Sequence, residues 1–127
     1  MLGTPTIFFD CDDTLVIWDK HGKSNDFEAI KFTCYGKEYK LIPHKPHIEA
    51  LKKHKNDGYK IVVWSAGGEE WAAEVVKVLD LGDHVDCTLS KPEFYYDDKR
   101  VFEFMHHTKR IFTSYRGFGS ECVQEDE

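Results

Sequence analysis

Short apolar runs alternate along the chain with longer stretches in which apolar positions recur every three or four residues. The first run is Thr6-Ile7-Phe8-Phe9-Asp10 and the second is Lys60-Ile61-Val62-Val63-Trp64. Pro5 opens the first, where a missing N–H costs the ladder nothing. Between them, residues 46–55 place Ile48 and Leu51 on one helical face, and Asn56-Asp57-Gly58 supplies a stop. After the second run, residues 69–79 repeat Ala72, Val75, Val76 and Leu79 at helical spacing and close at Gly82. Further strands are predicted near residues 84–89, 93–96 and 110–113, with a helix over 99–107 that turns Val101, Phe102 and Met105 inward. Such alternation predicts an α/β fold: a single Rossmann-like domain with parallel strands joined by crossover helices.

One segment breaks the rhythm. Residues 26–33 and 38–42 alternate on either side of Cys34-Tyr35-Gly36-Lys37, which predicts a β-hairpin flap at about 26–42, inserted after the first strand. Two roles stay open for it, overhanging a site or only extending the sheet. From Ser114 onward Gly117, Gly119 and Glu125-Asp126-Glu127 dilute the pattern, so a catalytic domain is expected over 1–113 and a flexible tail over 114–127.

Composition acts mainly by exclusion. A chain of 127 residues, 41% hydrophobic, suits one domain with one core. A net charge of −6 argues against a surface built wholly for nucleic acid. The basic stretch from Lys37 to Lys60 reads as a solvated helix face. The four cysteines show no CxxC spacing, and no signal-peptide order opens the chain, so a reducing cytoplasm is the expected setting. No apolar run approaches the roughly 20 residues a membrane helix needs.

The chemistry concentrates at strand ends. Asp10 and Asp12 follow the first apolar run two residues apart, so period-two geometry starts both carboxylates on one side. Like charges so placed repel and raise at least one pKa unless a cation or reacting group offsets them. Cys11, between them, reads as a small buried hydrophobe. The second strand ends in Ser65, the third is followed by Lys91, and the fourth ends in Asp97 and Asp98, where ligands gather in open parallel sheets. Each has a plainer reading: Ser65, Asp97 and Asp98 as helix caps, Lys91 as a surface charge.

Together, Asp10-Cys11-Asp12-Asp13-Thr14, Ser65, Lys91 and Asp97-Asp98 resemble the four motifs of the haloacid dehalogenase (HAD) superfamily of phosphotransferases, over roughly residues 6–113. The resemblance implies a five-stranded sheet in the order 5-4-1-2-3. It implies Asp10 as nucleophile, Asp12 as general acid and base, and Ser65 and Lys91 as phosphoryl-binding groups. Mg²⁺ would be held by Asp10, the Asp12 main-chain carbonyl, Asp97 and Asp98, with Asp97 the expected direct ligand. Thr14 would position the N–H groups of the loop. Asp13 stands where the superfamily more often has glycine.

The activity so implied is that of a Mg²⁺-dependent phosphomonoesterase working through an aspartyl-phosphate. No stretch is long enough for a cap domain. A capless, open site suits a macromolecular phosphate, a polynucleotide end among them, or a neighbouring subunit serving as lid. Trp18, Tyr35, Trp71 and Tyr95 are candidates to stack on a base or sugar. Two other readings stand beside this one. One is a receiver-type phosphoacceptor domain, whose phosphoacceptor Asp would end the third strand where this chain has Ser90. The other is a non-catalytic HAD-fold binding protein, against which the complete motif set argues.

Overall fold

The computed structural model describes residues 3–18, 29–111 and 122–124. Its strands are β1 (Thr6–Asp10), β2 (Val16–Trp18), β3 (Ile30–Cys34), β4 (Lys37–Pro43), β5 (Lys60–Ser65), β6 (Cys87–Ser90), β7 (Lys109–Ile111) and β8 (Cys122–Gln124). Two α-helices, α1 (Lys45–Asn56) and α2 (Glu69–Val78), and short 3₁₀ turns at Gly82–His84 and Val101–Glu103 complete the described elements.

Three strands form the parallel sheet, in the order β1-β5-β6. The register pairs Asp10 with Trp64 and Ser65 with Ser90, so the carboxyl ends of all three strands share one edge. Their crossovers hold the helices whose periodicity is visible in the sequence. In α1, Pro46 occupies the first turn, where no N–H is needed. His47, Ile48 and Leu51 face inward, and Lys53, His54 and Lys55 complement the carbonyl end. In α2, Glu69 and Glu70 sit at the positive end and Trp71, Ala72, Val75 and Val76 are buried. The core gathers Phe9, Leu15, Ile61, Val63, Leu51, Val75 and Leu81. Asp86 ties this layer together, accepting hydrogen bonds from the Ile61 N–H at 2.7 Å and from Lys55 Nζ at 2.9 Å.

The expected hairpin is present as β3 and β4, and β2 joins it in an antiparallel sheet ordered β2-β4-β3. Its two-residue loop is Tyr35-Gly36, with φ of 52° and 76°. Both positive values are what a type I′ turn needs to match the strand twist. Residues 26–28 of the predicted flap lie outside the described residues. Phe32, Tyr39 and Trp18 bring this sheet against Trp71 of α2.

Three expectations fail after β6. Residues 93–96 form no strand, and Phe94, Tyr95 and Tyr96 are exposed. The reason lies in the connection: only Lys91 and Pro92 separate Ser90 from that segment, whereas a parallel crossover needs a dozen or more residues. The described strands therefore supply only the 1-2-3 part of the order 5-4-1-2-3. The predicted helix over 99–107 is a single 3₁₀ turn, closed by the Arg100 N–H to Glu103, with Val101 and Phe102 exposed and Met105 half-buried. A nine-residue stretch whose Val101 and Phe102 stay exposed has no packed face to offset helix nucleation. Finally, Lys109–Ile111 pairs antiparallel with Cys122–Gln124 instead of entering the parallel sheet. Residues 112–113 and the rest of the expected tail lie outside the described residues. Among the described residues no helix is long and apolar enough to cross a membrane.

Candidate active site

β1 ends in a tight loop organised by one carbonyl. The Cys11 oxygen accepts the N–H groups of Thr14 (3.1 Å), Leu15 (2.9 Å) and Val16 (3.1 Å), and the Asp13 N–H returns to the Val16 oxygen at 2.7 Å. Asp13 adopts φ of 58°, in the left-handed region. Glycine suits that region best and aspartate tolerates it better than most residues, which accounts for Asp13 at a place where glycine is frequent. His47 reaches the loop from α1, its Nδ1 3.0 Å from the Thr14 carbonyl oxygen. That acceptor requires a proton on Nδ1. Thr14 thus takes part in the loop through its main chain.

Asp10 and Asp12 are both half-buried on this turn. Burial pushes the Asp10 carboxyl above the usual range and the Asp13 charge adds to it, while the Cys11 N–H and the Lys91 charge pull it back. Asp12 is raised by burial as well, with the charges of Asp10 and Asp13 adding to it. The indole of Trp71 opposes this, donating from Nε1 to Asp12 Oδ1 at 2.8 Å, and Trp18 donates too. Cys11 is fully buried, and its thiol is pushed far up by that burial and by the two flanking carboxylates. It is structural and not a nucleophile at neutral pH.

Ser65 and Lys91 meet on one rung. The Lys91 N–H donates to the Ser65 carbonyl at 2.8 Å, which extends the β5-β6 ladder by one residue. The Ser65 hydroxyl is buried and accepts the Gly67 N–H at 2.9 Å, so its own proton is left to donate elsewhere. Lys91 Nζ lies 5.9 Å from the Trp64 ring centroid, and its charge acts on Asp10. Asp97 and Asp98 lie in the irregular segment that follows β6. Both are exposed after β6, and Asp97 Oδ1 accepts the Lys99 N–H at 3.0 Å as a turn cap. A hydrogen bond with Asp98, and then that from the Lys99 N–H, hold Asp97 below the usual carboxylate range. Among the described residues no group of three or more His, Cys, Asp or Glu side chains is gathered as a metal site. The expected placement of Asp97 and Asp98 beside Asp10 depended on a strand that does not form.

A cavity of about 310 Å³ opens beside Asp12, lined by Asp12, Trp18, Tyr35, Tyr39, Gly67 and Trp71. Of the four aromatics singled out in the sequence, Tyr95 is elsewhere, packed edge-on against Phe104. The basic stretch is no continuous patch, because His44 and His47 are buried and Lys53 and Lys55 pair with Asp57 and Asp86.

The model of the NLI interacting factor-like phosphatase family matches residues 5–123, nearly the whole chain. The chain belongs to that family. It is a capless phosphatase family of the HAD superfamily, so the resemblance read from Asp10, Asp12, Ser65 and Lys91 holds. No curated protein matches the chain. For an NLI interacting factor-like phosphatase, three contacts at this site go beyond the sequence reading: Trp71 on Asp12, His47 on Thr14, and the Tyr35 hydroxyl donating to the Gly67 carbonyl at 2.8 Å. Only the last carried a signal, since Gly67-Gly68 between a strand and a helix marks close backbone approach.

Proposed function

We propose that the chain hydrolyses phosphomonoesters through a covalent phosphate on Asp10. One observation carries this reading: Asp10 and Asp12 are half-buried on one turn, beside the Ser65-Lys91 rung, and differ in their partners. Asp10 is acted on by a cation and points to nucleophilic use. Asp12 is oriented by Trp71, and its burial, with the charges of Asp10 and Asp13, keeps it protonated to higher pH than an ordinary carboxylate, which suits a general acid.

A carboxylate oxygen of Asp10 attacks phosphorus, the ester P–O bond breaks, and the leaving oxygen takes the Asp12 proton. Asp12, now a carboxylate, takes a proton from water as that water attacks the phosphorus. The bond to Asp10 breaks, releasing orthophosphate. Throughout, the Ser65 hydroxyl donates to a non-bridging oxygen and Lys91 offsets the charge, as fixed donors do for a developing oxyanion.

Mg²⁺ fits the donor set in chemistry. A carboxylate and a main-chain carbonyl are hard oxygen ligands, and this ion commonly binds through one or two carboxylates, substrate phosphate and water. Asp10 and the Asp12 carbonyl would hold it, and it would neutralise phosphate charge. Asp97 and Asp98 would join only through a rearrangement of the segment after β6.

The test is phosphate release from p-nitrophenyl phosphate with Mg²⁺, followed by acid quenching and hydroxylamine treatment to detect an acyl phosphate. Asp10→Asn should lower turnover on the order of 10³-fold or more and abolish the trapped species. Equal rates for the two proteins would overturn the reading.

A further inference from the structure

The acidic loop is supported from behind by the start of α1. The Thr14 carbonyl and the Leu15 N–H belong to one rigid peptide plane, and the Leu15 carbonyl and the Val16 N–H to the next. Each plane is held at both ends. Their N–H groups donate to the Cys11 oxygen at 2.9 and 3.1 Å. Their carbonyls face the other way: that of Thr14 meets His47 Nδ1 at 3.0 Å, and that of Leu15 accepts the His44 main-chain N–H at 2.9 Å. The anchored loop converges on Asp12. The Cys11 carbonyl belongs to the peptide that enters Asp12, and the Asp13 N–H, donated to Val16 at 2.7 Å, belongs to the peptide that leaves it. The two histidines that face this loop are costly to place there. His47 is 4% exposed and His44 1%, and their rings meet edge to face at 90° with centroids 4.6 Å apart. A leucine would fill such a space without desolvating a polar ring. Pro46 sets the backbone in the first turn just before His47, so the imidazole is presented from a rigid element.

We propose that His47 is a positioning residue for Asp12: by pinning the Thr14 peptide it holds the loop in the geometry from which Asp12 passes its proton to the leaving oxygen. The inference rests on the role assigned above to Asp12. Asp10 ends β1 and is fixed by the ladder to β5, where it pairs with Trp64. Asp12 lies two residues beyond that ladder, and its main chain is held by the loop. Loss of the His47 donor therefore bears on the acid more than on the nucleophile. Support for Asp12 comes from both helices. The Trp71 indole orients its carboxyl from α2, and His47 steadies its backbone from α1. Proton transfer needs hydrogen-bond reach between the acid and the leaving oxygen, so a displaced loop weakens that step first. The consequence falls unevenly on substrates. A weakly basic leaving oxygen departs with little help, whereas a strongly basic one needs the proton of Asp12.

The experiment measures kcat/KM for p-nitrophenyl phosphate and phenyl phosphate with Mg²⁺. Both esters carry a phenyl ring and differ in the basicity of the leaving oxygen, and kcat/KM covers the steps up to its departure. The ratio of the first to the second should rise about threefold or more in His47→Leu, which fills the space without a donor. It should rise further in Asp12→Asn, where the acid is gone. His47→Asn places an amide N–H near the position of Nδ1 and should keep the ratio within about twofold of the parent. A merely structural loss lowers both rates by one factor and leaves the ratio alone. Independently of turnover, the indole N–H resonance of Trp71, which reads the bond to Asp12, should move in the NMR spectrum of His47→Leu and return towards the parent position in His47→Asn. Should His47→Leu not fold, His47→Met, an unbranched filler without a hydrogen-bond donor, carries the same expectation. A ratio unchanged in the donor-free variant, a ratio raised equally in His47→Asn, or an unmoved Trp71 resonance would overturn the role of His47. If p-nitrophenyl phosphate were then still turned over and Asp10→Asn inert, the catalytic reading would survive that failure; a parent inert on both esters would end both.

Discussion

A double-mutant cycle on Gly68 and Tyr35 examines the latch between the hairpin and the Ser65 turn. Gly68→Ala forces a Cβ onto a backbone at φ 108°, which costs about 1–2 kcal/mol in a left-handed conformation. That Cβ also lies 2.6 Å from the Tyr35 oxygen, so the hydroxyl must leave the Gly67 carbonyl it now donates to at 2.8 Å. Losing that bond adds about 0.5–1.5 kcal/mol, for a total of about 1.5–3.5 kcal/mol. In a Tyr35→Phe background the hydroxyl is already gone, and the next ring atom, Cζ, is 3.8 Å from the new Cβ, an ordinary contact. There Gly68→Ala should cost the backbone term alone. The cycle should therefore show a coupling of about 1 kcal/mol. Urea unfolding of the four proteins measures it, with midpoints compared at constant slope. Additivity to within about 0.3 kcal/mol would mean that the Tyr35 hydroxyl does not hold the turn.

Two further outcomes test the frame around the site. Asp86 is held below its usual carboxylate range by the Ile61 N–H and then by Lys55, so its contribution is present above about pH 4 and is lost as pH falls through its lowered folded-state pKa. Asp86→Asn should lower Tm at pH 7, with the gap to the parent narrowing as pH falls below about 4; a gap that stays constant with pH would refute ionisation as the cause. Leu51→Ala should cost about 2–5 kcal/mol in urea midpoints, because Leu51 is fully buried between α1 and the sheet. A cost under about 1 kcal/mol would place it outside the core.

The legible parts of this molecule are those whose residues obey a local rule. β1, β5, α1 and α2 follow from unbroken apolar runs and helical periodicity, and the Tyr35-Gly36 turn follows from alternation broken at a glycine. The segment after β6 differs from its sequence pattern because Glu93-Phe94-Tyr95-Tyr96 is apolar enough for a strand. Whether a strand forms there depends on the length of its connection and on a packing partner, neither of which is a local property. The site divides the same way. Asp10, Asp12, Ser65 and Lys91 stand at strand ends and can be found by spacing. Trp71 reaches Asp12 across 59 positions and Tyr35 reaches Gly67 across 32, contacts that only the folded arrangement creates.

The antiparallel excursion after the acidic loop starts and finishes in one place. Val16 pairs with Pro43, and the His44 N–H donates to the Leu15 carbonyl at 2.9 Å. The chain leaves the parallel layer and re-enters it through adjacent residues, so a change in the length of a loop between them need not displace the end of β1 or the start of α1. Closing a longer loop costs little more than closing a short one. The acidic loop and the antiparallel sheet are therefore joined through one junction. One is bound to the parallel layer, and the other is clipped on at its base, packed on Trp71 through Phe32, Tyr39 and Trp18, and fastened at its tip by Tyr35.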